Sequence, residues 1–316
     1  MNDEQLSMNC ENVMATLRVN PTPLTLQGKT FDWGQRTYLM GVLNVTPDSF
    51  SDGGEFNTQS SALAQAKYLT ASGADIIDVG GQSTRPGAAE VSLEEELHRV
   101  IPVVQAIRGG EWGLENPGLE TINSQSLIPI SVDTTRVAVA RAAVAAGADI
   151  INDISSGTFD PDMLPGVAEL GVPIVLMHIR GTPQTMQQFT DYEDLIGEIY
   201  EFLDRRVEVA IASGIARDKI IIDPGIGFAK TYEQNLEILR RLDEFRTLGC
   251  SILVGPSRKS FIGRILNQPD PKARVWGTAA ASAAAIAKGA DILRVHDVEE
   301  MQAVSRVADA IFRINK

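Results

Sequence analysis

The stretch ASGADIIDV, residues 71–79, recurs in closely similar form as AAGADIIND (145–153) and AKGADILRV (287–295). In each copy an alanine-rich segment of helical character ends at a glycine, the residue that most often follows the last turn of an α-helix. A short run rich in β-forming residues follows at once. The repeat therefore predicts a helix that leads directly into a buried strand, at three places in the chain.

Further runs of the same kind complete a regular alternation. Two looser copies are ELGVPIVLM (169–177) and TLGCSILVG (247–255), and the other apolar runs are YLMGVLN (38–44), IPISVD (128–133) and KIIIDPG (219–225). Predicted helices lie between them, at 58–72, 92–107, 135–146, 161–170, 191–213, 232–247, 272–288 and 297–314. Strands that are apolar throughout and alternate with helices are typical of a parallel sheet covered by helices. Eight such units predict the α/β class and a (β/α)8 TIM barrel.

An open doubly wound sheet is the alternative architecture. Such a sheet usually carries a glycine-rich fingerprint directly after its first strand. In this chain GIGFAK (225–230) follows a late strand and lacks the third glycine, and GPSRKS (255–260) is not a Walker loop. The barrel is therefore favoured.

The segments outside this alternation define the domain organisation. PLTLQGKTFDWGQRTYL (23–39) alternates apolar and polar residues around a Gln-Gly pair, which predicts an N-terminal β-hairpin that closes one end of the barrel. We expect residues 1–22 to form a flexible N-terminal segment and residues 23–316 to form a single barrel domain. The polar segment 109–126 exceeds ordinary loop length and precedes a strand, so we expect a surface insertion remote from the chemistry.

Charge and composition exclude several classes of partner and so limit the functions to be considered. The chain of 316 residues has 41 acidic and 28 basic side chains and a formal net charge of -13. Nucleic acids and anionic membranes both select a basic face, so we expect neither as a partner. The N-terminus lacks the basic and apolar regions of a secretory signal, and Cys10 and Cys250 show no metal-type spacing. We therefore expect a cytoplasmic protein that acts on small molecules.

Polar residues follow nearly every predicted strand. They are Asn44, Asp78, Asp133, Asn152, His178, Asp223, Lys259, Arg294 and His296, with Thr84, Arg85 and Arg258 in adjoining loops. In barrel enzymes the active site lies at the C-terminal ends of the strands, so the set predicts one site. Each residue alone has a plainer explanation as a helix cap or structural group, and for Asp78 and His178 that explanation is equally strong.

The predicted site is polarised. Asp133, Asn152 and Asp223 supply hydrogen-bond acceptors, which suits a ring rich in N–H donors. The cations Arg258, Lys259, Arg294 and His296 follow the last two strands, where barrels often bind phosphate, and Arg85 adds a planar fork for an anion. The inferred ligand has a donor-rich heterocycle at one end and a phosphate or diphosphate at the other.

Asn44 suggests a metal ion at the phosphate end. Its carboxamide oxygen is neutral, and Mg2+ takes few protein ligands when substrate phosphate oxygens complete its coordination. A helix cap or a turn residue is the simpler explanation of the same asparagine.

Long motifs occur in a fixed order along the chain. They are GVLNVTPDSFSDGG (41–54), DVGGQSTRPGA (78–88), SVDTT (131–135), INDISSG (151–157), MHIRGTPQTMQ (177–187), DPGIGFAKT (223–231), GPSRKSFIG (255–263) and RVHDVEEM (294–301). Together they closely resemble the dihydropteroate synthase family of folate biosynthesis, from about residue 38 to the C-terminus and excepting 109–126. The resemblance implies a transferase in which p-aminobenzoate displaces diphosphate from (7,8-dihydropterin-6-yl)methyl diphosphate, giving 7,8-dihydropteroate. It also implies Mg2+ as cofactor and a homodimer.

The same resemblance implies roles for individual residues. The metal site would be Asn44, the pterin would contact Asp133, Asn152, Met177, Asp223 and Lys259, and the diphosphate would contact Arg85, Arg294 and His296. The p-aminobenzoate would lie near Phe50, Thr84, Arg85, Pro86, Phe228, Lys259 and Ser260. Catalysis would depend on Asp223, Lys259 and Arg294. Gln82 and Arg180 depart from the glutamate and glutamine common at their positions, and neither has an implied catalytic role.

Three other functions compete with this one. Lys259 is a candidate Schiff-base nucleophile, as in barrel aldolases. Pterin-binding domains of corrinoid methyltransferases use a similar barrel, although the SRKSF and STRPG motifs favour the synthase. A non-catalytic paralogue that only binds pterin is the third.

Overall fold

Eight parallel strands close into a barrel in the computed structural model, which describes residues 21–46, 55–84, 87–88, 90–110 and 128–313, of which 55–58 by backbone alone. The strands are β3 (Tyr38–Asn44), β4 (Ile76–Gly80), β5 (Ile130–Asp133), β6 (Ile150–Asp153), β7 (Ile174–Met177), β8 (Ile220–Asp223), β9 (Ser251–Val254) and β10 (Ile292–Val295). They pair in chain order, and β10 pairs with β3 to complete the ring. The predicted TIM barrel is confirmed. Residues 1–20, 111–127 and 314–316 lie outside the described residues.

Burial explains why the strands read as continuous apolar runs. Every residue of β5, β6, β7, β8 and β9 is buried, because one face lines the barrel interior and the other lies beneath helices. A single large core fills the space between the strands and the helices.

The helices among the described residues follow the predicted alternation. They are α1 (Glu55–Ala71), α2 (Leu93–Arg108), α3 (Val137–Ala146), α4 (Met163–Leu170), α5 (Leu195–Ala212), α6 (Tyr232–Arg240), α7 (Ser260–Leu266), α8 (Val275–Ala287) and α9 (Val298–Phe312). Short 3₁₀ helices lie at Met186–Gln188, Arg217–Lys219, Leu242–Leu248 and Pro271–Arg274. None of the helices in this described part of the chain is long and apolar enough to cross a membrane.

One predicted helix is divided in the structure, and one short helix is additional to those predicted. The helix expected over 232–247 ends at Arg240, and its second half is the 3₁₀ helix Leu242–Leu248. Leu242, Phe245 and Leu248 are buried at a spacing of three residues, which matches the 3₁₀ repeat rather than the α-helical one. The short helix α7 was not predicted from the sequence.

The aspartates of the Gly-Ala-Asp repeats fix the strands at the N-terminal end of the barrel. Each stands just before its own strand and accepts a hydrogen bond from a backbone N–H of the neighbouring strand. The pairs are Asp75 with Leu39 (2.9 Å), Asp149 with Ile130 (2.8 Å) and Asp291 with Ile252 (2.9 Å). Arg36, Arg108 and Arg313 lie within ion-pair distance of the same carboxylates. The repeat is therefore structural, and it sets the register of three neighbouring strand pairs.

The predicted N-terminal hairpin is confirmed. Strands β1 (Leu24–Leu26) and β2 (Lys29–Phe31) pair antiparallel around Gln27 and Gly28, both in the left-handed backbone region. Behind the hairpin, Phe31, Trp33 and Tyr38 form a buried aromatic cluster. This cluster packs on interior side chains of the barrel: Met40, Ile76, Ile150, Val175, Ile221, Leu253 and Ile292. The hairpin thus closes the N-terminal end, and only the opposite end is left for a site.

Candidate functional site

Arg294 lies between two carboxylates inside the C-terminal end of the barrel. Its Nε donates to Asp78 Oδ2 at 2.6 Å, and its Nη2 donates to Asp133 Oδ2 at 2.9 Å. Asn152 Nδ2 donates to the same Asp78 carboxylate at 3.3 Å. Side chains from the ends of β4, β5, β6 and β10 therefore meet in one hydrogen-bonded cluster.

Burial shifts the pKa values of the ionisable groups in this cluster. It raises the pKa of Asp133 to about 7, with the charge of Arg294 opposing and that of Asp78 adding to the shift. Burial lowers the pKa of Arg294, but the charges of Asp78 and Asp133 outweigh it and the net shift is upward. The guanidinium is therefore charged at every physiological pH, while Asp133 gains or loses its proton near neutrality.

Asp223, at the end of β8, belongs to the same electrostatic cluster. It is buried, and its Oδ1 accepts a hydrogen bond from the N–H of Gly225 at 2.7 Å. Burial raises the pKa of Asp223 to about 6, opposed by the Gly225 N–H and by the charges of Lys259, Lys230 and Arg294. A carboxylate with this environment is a ready acceptor for a ligand N–H.

An apolar wall stands beside these acceptors. Met177 at the end of β7 packs with Ile154, Ile179, Met186, Phe228 and Ala229 in a separate buried cluster. The Nζ of Lys259 lies 4.3 Å from the centroid of the Phe228 ring, a cation–π distance. An apolar wall beside hydrogen-bond acceptors is the arrangement that suits a planar ring with polar edges.

The loop after β9 departs from one prediction. Arg258 was predicted to face an anion, but its Nε donates to Asp297 Oδ2 at 3.0 Å and its Nη2 also contacts that carboxylate. Its left-handed backbone, φ +59°, turns the chain so that Arg258 points towards α9 while Lys259 faces Phe228. Lys259 directly precedes α7, and Ser260 is the first residue of that helix.

His296 and Asn44 border the cluster from the two neighbouring strand exits. The Nδ1 of His296 lies 3.0 Å from Ser257 Oγ, and the same hydroxyl accepts from the His296 N–H at 3.2 Å. Asn44 Oδ1 and Asp133 Oδ2 lie 3.8 and 3.9 Å from the point where a Cβ on Gly80 would stand. The absent side chain of Gly80 therefore lets the Asn44 oxygen and the Asp133 carboxylate share one side of the mouth.

A cavity of about 240 Å3 opens next to Asp133. Its lining residues are Gln82, Thr84, Glu90, Glu96, Asp133, Thr134, Thr135, Ile154, Phe159, Thr182, Pro183 and Gln184. Thr84 is thus the one predicted p-aminobenzoate contact of its loop within the described residues. Phe50, Arg85 and Pro86 lie outside them.

The sequence prediction missed three features of the site. The expected separation of acceptors and cations does not hold, because Arg294 contacts Asp133 and Asp78 directly. Asp78, for which a structural role was equally plausible, is the strongest partner of Arg294 and wholly buried. Ile154 was not singled out, although its position two residues after Asn152 places it on the same loop as a predicted contact.

His178 takes no part in the carboxylate cluster. Its ring packs edge-on against Phe202, and its Nδ1 lies 2.9 Å from the buried amine of Lys230. Sequence reasoning passed over Lys230, since a lysine at the end of a glycine-rich loop is ordinarily solvated.

Comparisons with known proteins agree with this geometry. Residues 40–296 match the family model described as pterin binding enzyme. A dihydropteroate synthase from Synechocystis sp. is 58% identical over 294 residues, which cover 93% of this chain and 96% of the relative.

Solved structures give the same result. A dihydropteroate synthase of Xanthomonas albilineans with 4-aminobenzoic acid is 40% identical, with a TM-score of 0.82, covering 94% of this chain and 100% of that one. Its complex with 7,8-dihydropteroate is 37% identical, with a TM-score of 0.79, covering 93% of this chain and 100% of that one. The chain belongs to the pterin binding enzyme family and, within it, to the dihydropteroate synthases, transferases of folate synthesis.

Proposed function

We propose that the cluster around Arg294 joins (7,8-dihydropterin-6-yl)methyl diphosphate to p-aminobenzoate and releases diphosphate and 7,8-dihydropteroate. The observation that carries the assignment of residues is the meeting of Asp133, Asn152, Asp223 and Arg294 at one end of the barrel. Acceptors for ring N–H groups and a fixed cation for an anion lie within one site. The relatives that bind 4-aminobenzoic acid and 7,8-dihydropteroate support the same substrates.

The pterin ring binds against the acceptors. Asp223 and Asp133 receive its N–H donors, and Asn152 supplies a carboxamide beside them. Met177 and Phe228 cover the ring faces, since both belong to the apolar wall. Lys259, held over Phe228, donates to an acceptor atom of the ring, which completes a donor and acceptor pattern specific to the heterocycle.

The diphosphate binds to the cations of the last strand. Arg294 offers a guanidinium that two carboxylates hold in place, so little reorganisation is needed as charge develops on the leaving group. His296 adds a donor from the same strand exit, and Arg85 is a further predicted contact from the loop after β4.

Asn44 fits a Mg2+ ion shared with the diphosphate. Its neutral oxygen borders the Asp133 carboxylate across Gly80, and one or two protein oxygens are the usual contribution when phosphate oxygens and waters complete the coordination. Bound there, Mg2+ would neutralise charge on the departing oxygens.

The amine of p-aminobenzoate is the nucleophile, so the protein needs none of its own. The amine lone pair forms the new C–N bond, while the C–O bond to diphosphate breaks and its electrons leave with the diphosphate. The nitrogen then loses one proton, which leaves with the diphosphate. The second substrate binds near Thr84 and Ser260, with Phe228 and Lys259 beside it and Phe50 and Pro86 as further predicted contacts. The ionised carboxylates of Asp133 and Asp223 stabilise positive charge that develops on the pterin, and their burial keeps water away from it.

Two broader properties belong to the same proposal. We place the enzyme in the cytoplasm, because its proposed substrates are charged and because reduced cysteines are typical of that compartment. We also propose a homodimer through α9, whose Val307 and Ile311 are 61% and 63% exposed beside a surface groove. Monomeric soluble proteins seldom expose a contiguous apolar patch, so such a patch indicates an interface with a partner.

A diphosphate-release assay with both substrates tests the proposal. Release should require p-aminobenzoate, the pterin diphosphate and Mg2+ together, and Arg294→Ala should abolish it while the circular dichroism spectrum is unchanged. Wild-type release by Arg294→Ala, or release without p-aminobenzoate at the same rate, would contradict the assignment.

A further inference from the structure

The loop after β8, Asp223–Thr231, holds one residue, Ala229, in a backbone conformation that its side chain disfavours. Gly225, Gly227 and Ala229 all lie in the left-handed region, with φ of +74°, +84° and +51°. For Ala229 that region costs about 1 kcal/mol or more. Such a conformation persists only where surrounding contacts hold it.

Buried contacts from other elements hold this loop. Asn235 Oδ1 accepts from the N–H of Gly227 at 2.6 Å, and the hydroxyl of Tyr192 donates to the carbonyl of Ala229 at 3.0 Å. A Cβ on Gly225 would stand 2.1 Å from the carbonyl oxygen of His178. The loop therefore lies directly against the end of β7, with no space for a side chain at Gly225.

Lys230 provides the contact at the centre of the loop. Only 3% of the residue is exposed, and its Nζ donates to the carbonyl of Phe228 at 2.8 Å. The same Nζ lies 2.9 Å from His178 Nδ1. Burial lowers the pKa of His178 well below its usual value, and the charges of Lys230 and Arg180 lower it further, so the ring is neutral. In the tautomer protonated on Nε2, its Nδ1 accepts from Lys230.

The hydrogen bond from Lys230 to the Phe228 carbonyl affects the positions of Phe228 and Lys259, the two residues proposed to face the pterin. Its acceptor is the peptide carbonyl of Phe228, whose ring forms part of the apolar wall and lies 4.3 Å from the Nζ of Lys259. Gly227 packs against Lys259 as well, since a Cβ on Gly227 would lie 3.0 Å from Lys259 Cδ. A shift of the Phe228 peptide would therefore displace both the ring and the cation above it.

We propose that Lys230 is a positioning residue of the pterin site: its buried amine bridges the His178 ring and the Phe228 carbonyl, and so holds the Phe228 ring and Lys259 in the arrangement that receives the pterin. Lys230 acts through Phe228 and Lys259 rather than on the substrate. The inference rests on the proposed function, because it concerns affinity for the pterin ring.

The experiment is a double-mutant cycle on pterin affinity. Lys230→Met keeps the length of the side chain and removes both donated bonds, and Lys259→Met removes the cation. Isothermal titration with an uncharged pterin that carries no phosphate measures the dissociation constant of wild type, both single variants and the double variant. We expect Lys230→Met to weaken binding about tenfold or more, and to weaken it less than about threefold once Lys259 is already Met.

Lys219→Met is the matched control. Lys219 also donates from Nζ to a backbone carbonyl, that of Gly171 at 2.6 Å, but it lies before β8, at the opposite end of the barrel. This variant should bind the pterin as wild type does. If Lys230→Met does not fold, the cycle is run with Lys230→Gln, whose amide retains a donor in the same pocket and should give a smaller loss in the same direction.

The outcomes separate this inference from the proposed function. Equal affinity of Lys230→Met and wild type, or losses that multiply fully in the double variant, would overturn the positioning role. A wild-type protein that binds no pterin at all would overturn the proposed function instead.

Discussion

Arg294 donates through Nε to Asp78 at 2.6 Å, and Asp78 is wholly buried behind it. A buried carboxylate without a partner would be costly, and the Arg294 guanidinium, whose side chain is only 22% exposed, is partly desolvated as well. Each ion therefore requires the other, and the direction of the guanidinium is set before any ligand arrives. The second contact, from Nη2 to Asp133, turns the same cation towards the predicted pterin acceptors.

Asp78→Asn should damage catalysis and stability together. The substitution keeps the shape of the side chain but removes the charge that holds Arg294, so we expect kcat/KM for the pterin diphosphate to fall by about 100-fold. The free energy of unfolding in urea should fall by about 3 kcal/mol, since one partner of a buried pair is lost. Arg241→Gln, which removes ion pairs between exposed side chains, is the control and should cost less than about 1 kcal/mol. Full activity in Asp78→Asn would show that Arg294 does not depend on this carboxylate.

Asp149→Asn should affect stability alone. Asp149 accepts the N–H of Ile130 and pairs with Arg108 at the closed end of the barrel, away from the strand exits. We expect the free energy of unfolding to fall by about 1–3 kcal/mol, because a charged hydrogen bond becomes a neutral one. Steady-state kinetics should give kcat within about twofold of wild type, as expected for a change that leaves the binding groups in place. A large loss of kcat without loss of stability would contradict the structural role of the Gly-Ala-Asp repeat.

The contrast between Asp78 and Asp149 explains what could be predicted from the sequence. Strand periodicity and strand exits were sufficient to predict the barrel and to find Asp133, Asn152 and Asp223, because each of these ends a recognisable apolar run. Pairing between distant segments was not accessible in the same way. The partner of Arg294 comes from a strand more than 200 residues earlier, and no local pattern encodes that contact.

Arg258 and Lys230 show the same limit for single side chains. Both are basic residues in polar loops: Arg258 was predicted to bind an anion, and Lys230 was not predicted to be buried, since loop lysines are ordinarily solvated. Arg258 instead pairs with Asp297, because its left-handed backbone directs it outwards, and Lys230 is buried beneath Phe228. Backbone angles in a loop depend on tertiary contacts, which periodicity does not report.

Gly225→Ala should disrupt the loop after β8 far more than the same change elsewhere. A Cβ at Gly225 would stand 2.1 Å from the carbonyl oxygen of His178, whereas a Cβ at Gly249 meets nothing within 4 Å. Both glycines have positive φ, so the two variants share a backbone cost of about 1 kcal/mol. We expect Gly249→Ala to lose only that amount in thermal unfolding, and Gly225→Ala to lose pterin binding by titration calorimetry as well. Similar behaviour of the two variants would show that the contact with His178 is not limiting.

Ile311→Asp should dissociate the proposed dimer. Ile311 lies in the groove on α9 and is 63% exposed, so an aspartate there would place a charge in an apolar interface without a partner. Sedimentation velocity at micromolar concentration should show a dimer for wild type and a monomer for this variant. Val209→Asp, at a 43% exposed position on α5, is the control and should remain a dimer. A monomeric wild-type protein would contradict the proposal directly.

Affinity for the pterin should rise with pH between about 5 and 8. The pKa values of Asp223 and Asp133 in the folded protein are raised, to about 6 and about 7, mainly by burial. An unfolded aspartate has a pKa near 3.9, so the folded state binds more protons in the interval between, and these groups stabilise the fold less as pH rises from about 4 to about 7. Binding follows the opposite trend, because ring N–H groups require ionised acceptors.

Titration calorimetry with an uncharged pterin at several pH values tests this dependence, since such a ligand carries no phosphate that titrates in the same range. Asp223→Asn should bind weakly and should lose the part of the pH dependence centred near 6, because its carboxamide cannot ionise. The remaining part, centred near 7, should persist in that variant and disappear in Asp133→Asn. An affinity that stays constant across the range in wild type would mean that neither carboxylate accepts a hydrogen bond from the ring, and the acceptors would have to be sought elsewhere in the barrel mouth.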